Sequence, residues 1–439
     1  MKNVFLFLAF VLCCCNAYSL EVEVVAEHDV YTLVPPNNGS GPMWSSGCTS
    51  VARVDNDVYI SQVETGEGVP LFCNTRWRLL RLGPEGFRCI AEADEYRQRE
   101  PCSLAAADGR LFMYVNDSIM PPGTKYGVCQ PHLLKFKLDE PVGYDKLMPE
   151  WDGAYKFTDH SYRGYAADSE AGRLLMLNID ADTSIQHACM LDTAGKTLAT
   201  GSIAFPIRAC YPEVAVMGDA VHVVAVGDIA EPVEEWRAYK HEQTGRDWDY
   251  VFRILYYANT PNLRERDLGE PMEIANVDAT GGYISAKDFW IAPTGDAWIV
   301  YNEQEVQSAL MRDKFFPGKS IVPLLRLAVV RGGEITERRT LVAGTEDRAC
   351  SDAKIHLAAD GTPVLVANLT GKDGGMHVRP LKDEKAEWTK VPLEKPFGSF
   401  SLASFRAGNR ASDTIDIFGP TGGNVYGYAQ VVVRRENAI

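Results

Sequence analysis

The chain has 439 residues, a formal net charge of −15 and 23% charged residues. An acidic exterior repels phosphate backbones and anionic lipids, which argues against nucleic-acid binding and against attachment to a membrane by charge. An acidic polysaccharide stays possible as a partner, because a local cluster of basic side chains can set the potential inside a cleft.

The N-terminus has the pattern of a secretory signal peptide. Lys2 precedes an apolar run over residues 4–15, and Ala17-Tyr18-Ser19 follows as a small-residue cleavage site. Cys13–Cys15 would suit a lipoprotein, but the residues before them are bulky where lipid attachment needs small ones. No stretch reaches the roughly 20 apolar residues of a membrane span. We therefore expect a signal peptide over residues 1–19, one domain over residues 20–439, and a secreted or periplasmic location.

Eight cysteines lie beyond the expected cleavage site. An even number in an exported chain favours disulfides, and the absence of a Cys-x-x-Cys pair argues against a zinc site. Proximity in the sequence predicts three of the pairs, namely Cys73 with Cys89, Cys102 with Cys129, and Cys189 with Cys210.

Seven polar turns recur along the chain, each followed by a strand of β-branched, aliphatic or aromatic residues. This pattern is typical of a hairpin. The seven turns are Asp55-Asn56-Asp57, Asp108-Gly109, Ala171-Gly172, Gly218-Asp219, Gly295-Asp296, Asp360-Gly361 and Ser412-Asp413. Their spacing fits one four-stranded blade per unit, so we predict an all-β fold, a seven-bladed β-propeller.

Two further strands, around residues 21–33 and 426–435, are strongly β-patterned, and we expect them to share a blade and close the ring. The alternative is a pair of β-sandwiches, but the Pro/Gly/Ser linker that would separate them is missing. The charged and aromatic segment 231–257 departs from the repeat, and we expect it to form a short helix or a long excursion on one propeller face.

The densest cluster of chemically versatile side chains lies between residues 158 and 213. It begins with Thr158-Asp159-His160-Ser161-Tyr162-Arg163, passes His187, and ends with Arg208-Ala209-Cys210-Tyr211-Pro212-Glu213. Over about 70 residues it resembles the bacterial neuraminidase-type repeat (BNR) propellers related to ulvan lyases, in which an Asp-His motif precedes a hairpin and a Tyr-Pro motif opens the next blade. The family's arginine downstream of Tyr-Pro is missing, since that strand reads VHVVAVGD.

The resemblance implies a polysaccharide lyase that cleaves uronic-acid-containing glycans by β-elimination. On this interpretation His160 and Tyr211 are the acid/base pair, and Arg208, His187 and Arg163 bind the uronate carboxylate. The structural alternatives are a hydrogen-bonding role for His160, a packing role for Tyr211, and an ion pair of Arg208 with Glu213.

A second cluster, around Arg76, Trp77 and Arg99, combines guanidinium groups with an aromatic ring. Such groups suit a sugar-binding floor, because the ring stacks on a sugar face and arginine holds a carboxylate. The alternative is a set of solvated surface arginines. A third group, residues 302–305 and 311–314, is expected in a long loop on the rim.

Two other functions remain open on the same fold. A sialidase or other glycoside hydrolase would use Tyr211 with Glu213, or two carboxylates among Asp159, Glu213, Asp288 and Glu303, although no S-x-D-x-G-x-x-W box occurs. A propeller that binds glycans or proteins without catalysis is the third class. No motif requires a cofactor or a catalytic metal, and a structural Ca²⁺ would be compatible with an exported propeller.

Overall fold

The computed structural model describes residues 20–160, 162–345 and 347–435, so the predicted signal peptide lies outside the described residues. Seven four-stranded antiparallel sheets are arranged in a ring, which confirms the predicted seven-bladed β-propeller. The first strand, β1 (Leu20–Thr32), belongs to the last blade.

The remaining strands follow in chain order, four to a blade. Blade 1 contains β2–β5 at Val51–Val54, Asp57–Thr65, Thr75–Gly83 and Gly86–Glu92. Blade 2 contains β6–β9 at Ser103–Ala107, Arg110–Ser118, Cys129–Lys137 and Gly143–Leu147. Blade 3 contains β10–β13 at Gly164–Asp168, Arg173–Ile179, Gln186–Asp192 and Thr197–Ile203.

Blade 4 is interrupted by an excursion that carries strands of its own. Its four strands are β14, β15, β18 and β19 at Ala209–Met217, Ala220–Gly227, Ile254–Thr260 and Met272–Asn276. The excursion holds β16 (Ile229–Ala230), helix α1 (Glu234–Thr244) and β17 (Tyr250–Val251). A short 3₁₀ turn, Asp278–Thr280, leads to the next blade.

The last three blades complete the ring. Blade 5 contains β20–β23 at Tyr283–Ile291, Ala297–Gln304, Leu324–Arg331 and Glu334–Val342, with helix α2 (Ala309–Phe315) between its middle strands. Blade 6 contains β24–β27 at Cys350–Leu357, Pro363–Leu369, Gly375–Pro380 and Thr389–Lys390. Blade 7 contains β28–β30 at Ser401–Leu402, Thr414–Gly422 and Val425–Arg435, with β1 outermost.

Each predicted polar turn lies between the first two strands of a different blade. In blade 2 the turn residues Asp108 and Gly109 both have positive φ, 51° and 65°. A two-residue hairpin turn needs this backbone conformation, which Asp tolerates and Gly adopts freely. The seven predicted turns therefore give the correct number and positions of the blades.

The ring closes as predicted, through the two ends of the described chain. Strand β1 pairs antiparallel with β30 from Leu20 opposite Arg435 to Thr32 opposite Val425. The long ladder makes the N-terminal strand the outer strand of the C-terminal blade. It thereby joins the two ends of the chain in one sheet.

The core is divided into seven apolar clusters, one between each pair of neighbouring blades. Strand β7 shows why its sequence is a nearly continuous apolar run. Leu111 and Met113 pack towards blade 1, whereas Phe112 and Tyr114 on the opposite face pack towards blade 3. Alternating side chains of an inner strand are thus buried on both faces.

The excursion of blade 4 forms the short helix expected from its sequence. Helix α1 ends at Gly245, whose φ of 65° lets its N–H reach the carbonyl of His241. In blade 5, residues 311–314 lie in helix α2 and not in the predicted loop, because Ser308 caps the helix by accepting the N–H of Met311. None of the helices in the described residues is long and apolar enough to span a bilayer.

The structure does not show the predicted disulfide pairs, since the eight cysteines in the described residues are free thiols. Cys73 hydrogen-bonds the thiol of Cys129, whereas Cys89 lies in the outer strand of blade 1, opposite Leu80. Cys189 lies in the third strand of blade 3 and Cys210 in the first strand of blade 4. Proximity in sequence fails as a guide because consecutive strands carry the chain from one edge of a blade to the other.

Candidate functional site

A cleft of about 660 Å³ opens on one face of the propeller. Its walls come from loops that follow the second or fourth strands of the first four blades, and from the segment between β1 and β2. The side chains that matter below are Trp44, Arg99, His160, Tyr162, Arg208, Tyr211, Asp228, Trp248 and Tyr250.

His160 is held from behind by a buried carboxylate. Its Nδ1 lies 2.9 Å from Oε1 of Glu100, and the other oxygen of Glu100 accepts a hydrogen bond from Arg163 at 3.4 Å. Glu100 and Arg163 are buried, whereas the His160 side chain keeps partial exposure. Because Nδ1 is engaged by the carboxylate, Nε2 is the nitrogen that a ligand in the cleft can reach.

Tyr211 has an unusual backbone conformation, with a φ of +48°. It lies in a β-bulge of β14, where the pairing with β15 shifts between Cys210 and Glu213. A bulge turns a side chain away from its regular direction, and a bulky residue in the left-handed region is uncommon and strained. Here the bulge places the phenol of Tyr211 in the cleft.

Two aromatic rings bring His160 and Tyr211 to the same part of the cleft. Trp44 packs against both, with ring centroids 5.3 Å from His160 and 5.9 Å from Tyr211. Tyr162 does the same at 5.7 Å and 5.2 Å. Burial raises the pKa of Tyr211 well above its ordinary value, and the neighbouring Cys210 adds to the effect. Tyr211 is therefore a neutral phenol at physiological pH.

Arg208 lines the cleft beside these residues with about a third of its side chain exposed. It pairs with Asp228, which also accepts the hydroxyl of Tyr162 at 3.1 Å. Burial raises the pKa of Asp228, although Arg208 and Tyr162 oppose the shift. Asp228, and not the expected Glu213, is thus the acidic partner that orients Arg208. The guanidinium also stacks on the rings of Tyr162 and Tyr250.

Arg99 also reaches the cleft but is already well occupied. Its Nε donates to the carbonyl of Asn38 at 2.8 Å, and its Nη1 lies 3.5 Å from the buried carboxylate of Asp159. The guanidinium faces the rings of Phe72 and Tyr126. Arg99 therefore contributes positive charge at the edge of the cleft more than free hydrogen-bond donors.

Four predicted site residues do not line the cleft. Arg163 is buried behind His160, where it donates to Glu100 and to the carbonyl of Pro101. His187 is buried against the ring of Tyr155, with the ring centroids 3.5 Å apart.

The remaining two, Arg76 and Trp77, lie on strand β4 of blade 1. Arg76 forms ion pairs with Glu64 and Glu92. Trp77 is buried in the apolar cluster between blades 1 and 2. Their predicted sugar-binding role does not fit these positions, because Arg76 is engaged by two carboxylates and Trp77 is enclosed between two blades.

The central channel holds a second group of charged residues below the cleft. Arg406 donates to Asp288 at 2.7 Å and to the carbonyls of Gly47 and Val214 at 3.2 Å and 2.9 Å. Glu213 is only 1% exposed and lies 3.7 Å from Arg406. Burial raises the pKa of Glu213 to about 7, against the attraction of Arg406 and Lys354. Arg406, Asp288 and Glu213 are all buried, and none of them lines the cleft described above.

Four residues that line the cleft, Trp44, Tyr162, Asp228 and Trp248, were not among the predicted site residues, and neither was Glu100, which lies behind His160. The signals that pointed to them were weak. Trp44 is an aromatic residue in a Gly/Ser-rich loop, and Asp228 ends the very strand in which the family arginine was sought. Trp248 belongs to the excursion noted for its aromatic residues.

Among the described residues no group of three or more His, Cys, Asp or Glu side chains is placed to hold a metal ion. His160, Tyr211 and Arg208 present an imidazole, a phenol and a guanidinium group to the cleft. This set suits proton transfer next to an anionic group.

No protein-family model and no curated protein matches the chain. Solved structures do match its fold. The polysaccharide lyase Uly1 superimposes with a TM-score of 0.54 at 10% identity, over 92% of each chain. An ulvan lyase of polysaccharide lyase family PL25, bound to -[GlcA(1-4)Rha3S]-, gives 0.57 at 10% identity, over 93% of this chain and 98% of that one. At such identities the likeness shows the propeller fold alone, and it does not bear on the neuraminidase-type repeat.

Proposed function

We propose that the protein is an exported polysaccharide lyase that cleaves uronate-containing glycans by β-elimination. The observation that carries the proposal is the convergence of His160, Tyr211 and Arg208 in one cleft. Each of them is oriented by a neighbour in a different way, through Glu100, a β-bulge and Asp228 respectively.

The reaction divides naturally among these three residues. Nε2 of His160 takes the proton from the carbon that bears the carboxylate, and the electron pair left behind forms a carbon–carbon double bond as the adjacent C–O bond breaks. Tyr211 donates its phenolic proton to the departing oxygen. Because burial keeps Tyr211 protonated, it suits the role of the acid and His160 that of the base.

Arg208 supplies the positive charge that the step requires. Removal of a proton next to a carboxylate builds negative charge on that carboxylate in the transition state, and a nearby guanidinium stabilises it. Arg208 is partly exposed and fixed on one side by Asp228. Its remaining donors are therefore held in place without being used up.

The fold likeness to two polysaccharide lyases, one of them bound to a glucuronate-containing sugar, supports the proposal. The rival hydrolases fit less well. A sialidase would pair Tyr211 with Glu213, but the bulge directs Tyr211 to the cleft, and Glu213 lies in the channel near Arg406.

The carboxylates suggested for a two-acid glycosidase are likewise dispersed. Asp159 pairs with Arg99, and Asp288 with Arg406. Glu303 lies near Arg326 on blade 5. Asp180, which does line the cleft, accepts the backbone N–H groups of neighbouring loop residues. Each of these carboxylates is thus engaged by a basic side chain or by backbone N–H groups.

The test is the ultraviolet absorbance of the unsaturated uronate produced by elimination. The purified mature chain is incubated with a panel of uronate polysaccharides, in parallel with His160→Ala and Tyr211→Phe. We expect absorbance to rise with the wild type, and each substitution to lower the rate by about 10²- to 10⁴-fold. Unfolding curves serve to show that both variants are folded.

Other outcomes would replace the proposal. Release of reducing ends without new absorbance would identify a hydrolase. Binding of the polysaccharide without any cleavage would identify a glycan-binding propeller.

A further inference from the structure

The excursion from blade 4 brings an exposed aromatic residue to the edge of the cleft. Trp248 lines the cleft and is 67% exposed, more than any other large hydrophobic residue in the described part of the chain. Its ring contacts that of Tyr250 in a tilted arrangement, with the centroids 5.5 Å apart. An exposed indole at the mouth of a cleft offers an apolar face with a polar N–H edge, which suits contact with a partly polar ligand.

The backbone next to Trp248 is firmly anchored. Lys240 of helix α1 donates to Asp249 at 2.7 Å and to Glu231 at 2.8 Å. Glu231 is fully buried and also accepts hydrogen bonds from both terminal nitrogens of the Arg253 guanidinium group. The N–H of Glu231 donates to the carbonyl of Asp249 as well. The exposed ring therefore projects from a fixed base, as a binding surface must to avoid an ordering cost.

Trp248 also continues a row of aromatic rings and one guanidinium group, in contact with one another, that leads to the reacting residues. From Trp248 the row passes to Tyr250, to the guanidinium of Arg208, to Tyr162 and to Tyr211, with successive separations between 5.1 and 5.8 Å. A row of this length extends beyond one sugar unit. Bond cleavage takes place at the Tyr211 end of the row. The Trp248 end therefore faces a sugar unit farther along the polysaccharide.

We propose that Trp248 and Tyr250 form a sugar-stacking subsite, which binds a pyranose ring of the polysaccharide at a distance from the bond that is cleaved. This inference rests on the proposed lyase function and adds a substrate preference to it. The apolar C–H face of a pyranose packs on the indole, while Arg208 holds the carboxylate of a neighbouring unit. The enzyme should consequently prefer long chains to short oligosaccharides.

The test compares kcat/KM on a uronate polysaccharide with kcat/KM on its shortest cleavable oligosaccharide. We expect Trp248→Ala to lower the ratio of the two values by about tenfold, and Trp248→Phe to restore part of it. Tyr144→Ala is the matched control, because Tyr144 is an exposed aromatic residue on blade 2 that does not line the cleft. An unchanged ratio in Trp248→Ala would overturn the subsite while leaving the lyase function intact.

A second measurement separates the inference from the proposed function. Tryptophan fluorescence is titrated with the same polysaccharides in wild type, Trp248→Ala and Tyr144→Ala. If the wild type forms no unsaturated product but binds a polysaccharide at least tenfold more tightly than Trp248→Ala, the lyase function fails and the subsite stands. Equal affinity in wild type and Trp248→Ala, or no binding by either, refutes the subsite.

Discussion

Strand β14 contributes one residue to each of two polar regions of the molecule, the cleft and the central channel. The two residues, Tyr211 and Glu213, are only two positions apart in the sequence. Tyr211 points into the open cleft, whereas Glu213 points into the central channel. In the channel, Arg406 is buried and bound on all sides by Asp288 and backbone carbonyls. In the cleft, Arg208 and His160 are each held by one acidic partner and remain partly exposed. Polar side chains that keep one side exposed can act on a ligand, whereas fully enclosed ones serve the fold.

The β-bulge between Cys210 and Glu213 produces this separation. In a regular strand successive side chains alternate between two faces. The extra residue in the bulge breaks that alternation and frees the phenol to face the loops. A local strain at Tyr211, with its φ of +48°, accompanies the change.

The largest effect is expected from removing the positively charged side chain of Arg406 in the channel. Arg406→Met would leave the buried carboxylate of Asp288 without its partner, and we expect a loss of about 3–5 kcal/mol in the free energy of unfolding, measured with urea. Arg88→Met is the control, since Arg88 and its partner Glu140 are both exposed and such pairs contribute less than about 1 kcal/mol. Equal losses in the two variants would contradict a structural role for the channel.

A somewhat smaller effect concerns the pH dependence of stability. The pKa of Glu213 is raised from 4.5 to about 7 in the folded chain, so the folded state keeps a proton that the unfolded state loses. The resulting stabilisation is fully present below pH 4.5 and is lost as pH rises through about 7, to an extent of about 3 kcal/mol.

Glu213→Gln cannot ionise and should remove this part of the pH dependence. Urea unfolding at pH 5 and pH 8 measures it, with Glu64→Gln as the matched control, because Glu64 is a partly exposed carboxylate on strand β3 of blade 1. If Glu213→Gln loses as much stability as the wild type between the two pH values, Glu213 does not keep its proton in the folded chain.

The fold was predictable because its signals are local and repeated. Each turn, such as Asp108-Gly109, lies beside the strand it introduces, and seven of them count the blades directly. Closure by β1 and β30 followed from two β-patterned ends that needed partners. Helix α2 was missed because seven residues capped by Ser308 carry little pattern.

The site was predictable only in part. His160, Arg208 and Tyr211 lie in one dense stretch of sequence, and the structure brings them together with Arg99. His187 and Trp77 were misplaced because sequence does not show which strand residues turn into the gaps between blades. Residues that converge through loops of different blades leave no common pattern in the chain.

The smallest expected effect concerns the cleft, where the carboxylate of Glu100 holds His160 from behind. Glu100 accepts from Nδ1 of His160 at 2.9 Å without lining the cleft, so it is a positioning residue. In Glu100→Gln the amide can instead donate to Nδ1, which favours the tautomer with its proton on Nε2 and blocks that nitrogen as a base. We expect kcat on a uronate polysaccharide to fall about 10- to 100-fold with little change in KM. Glu64→Gln, which alters a carboxylate outside the cleft, should leave kcat unchanged. A rise in KM alone would mean that Glu100 shapes substrate binding and does not set the tautomer of the base.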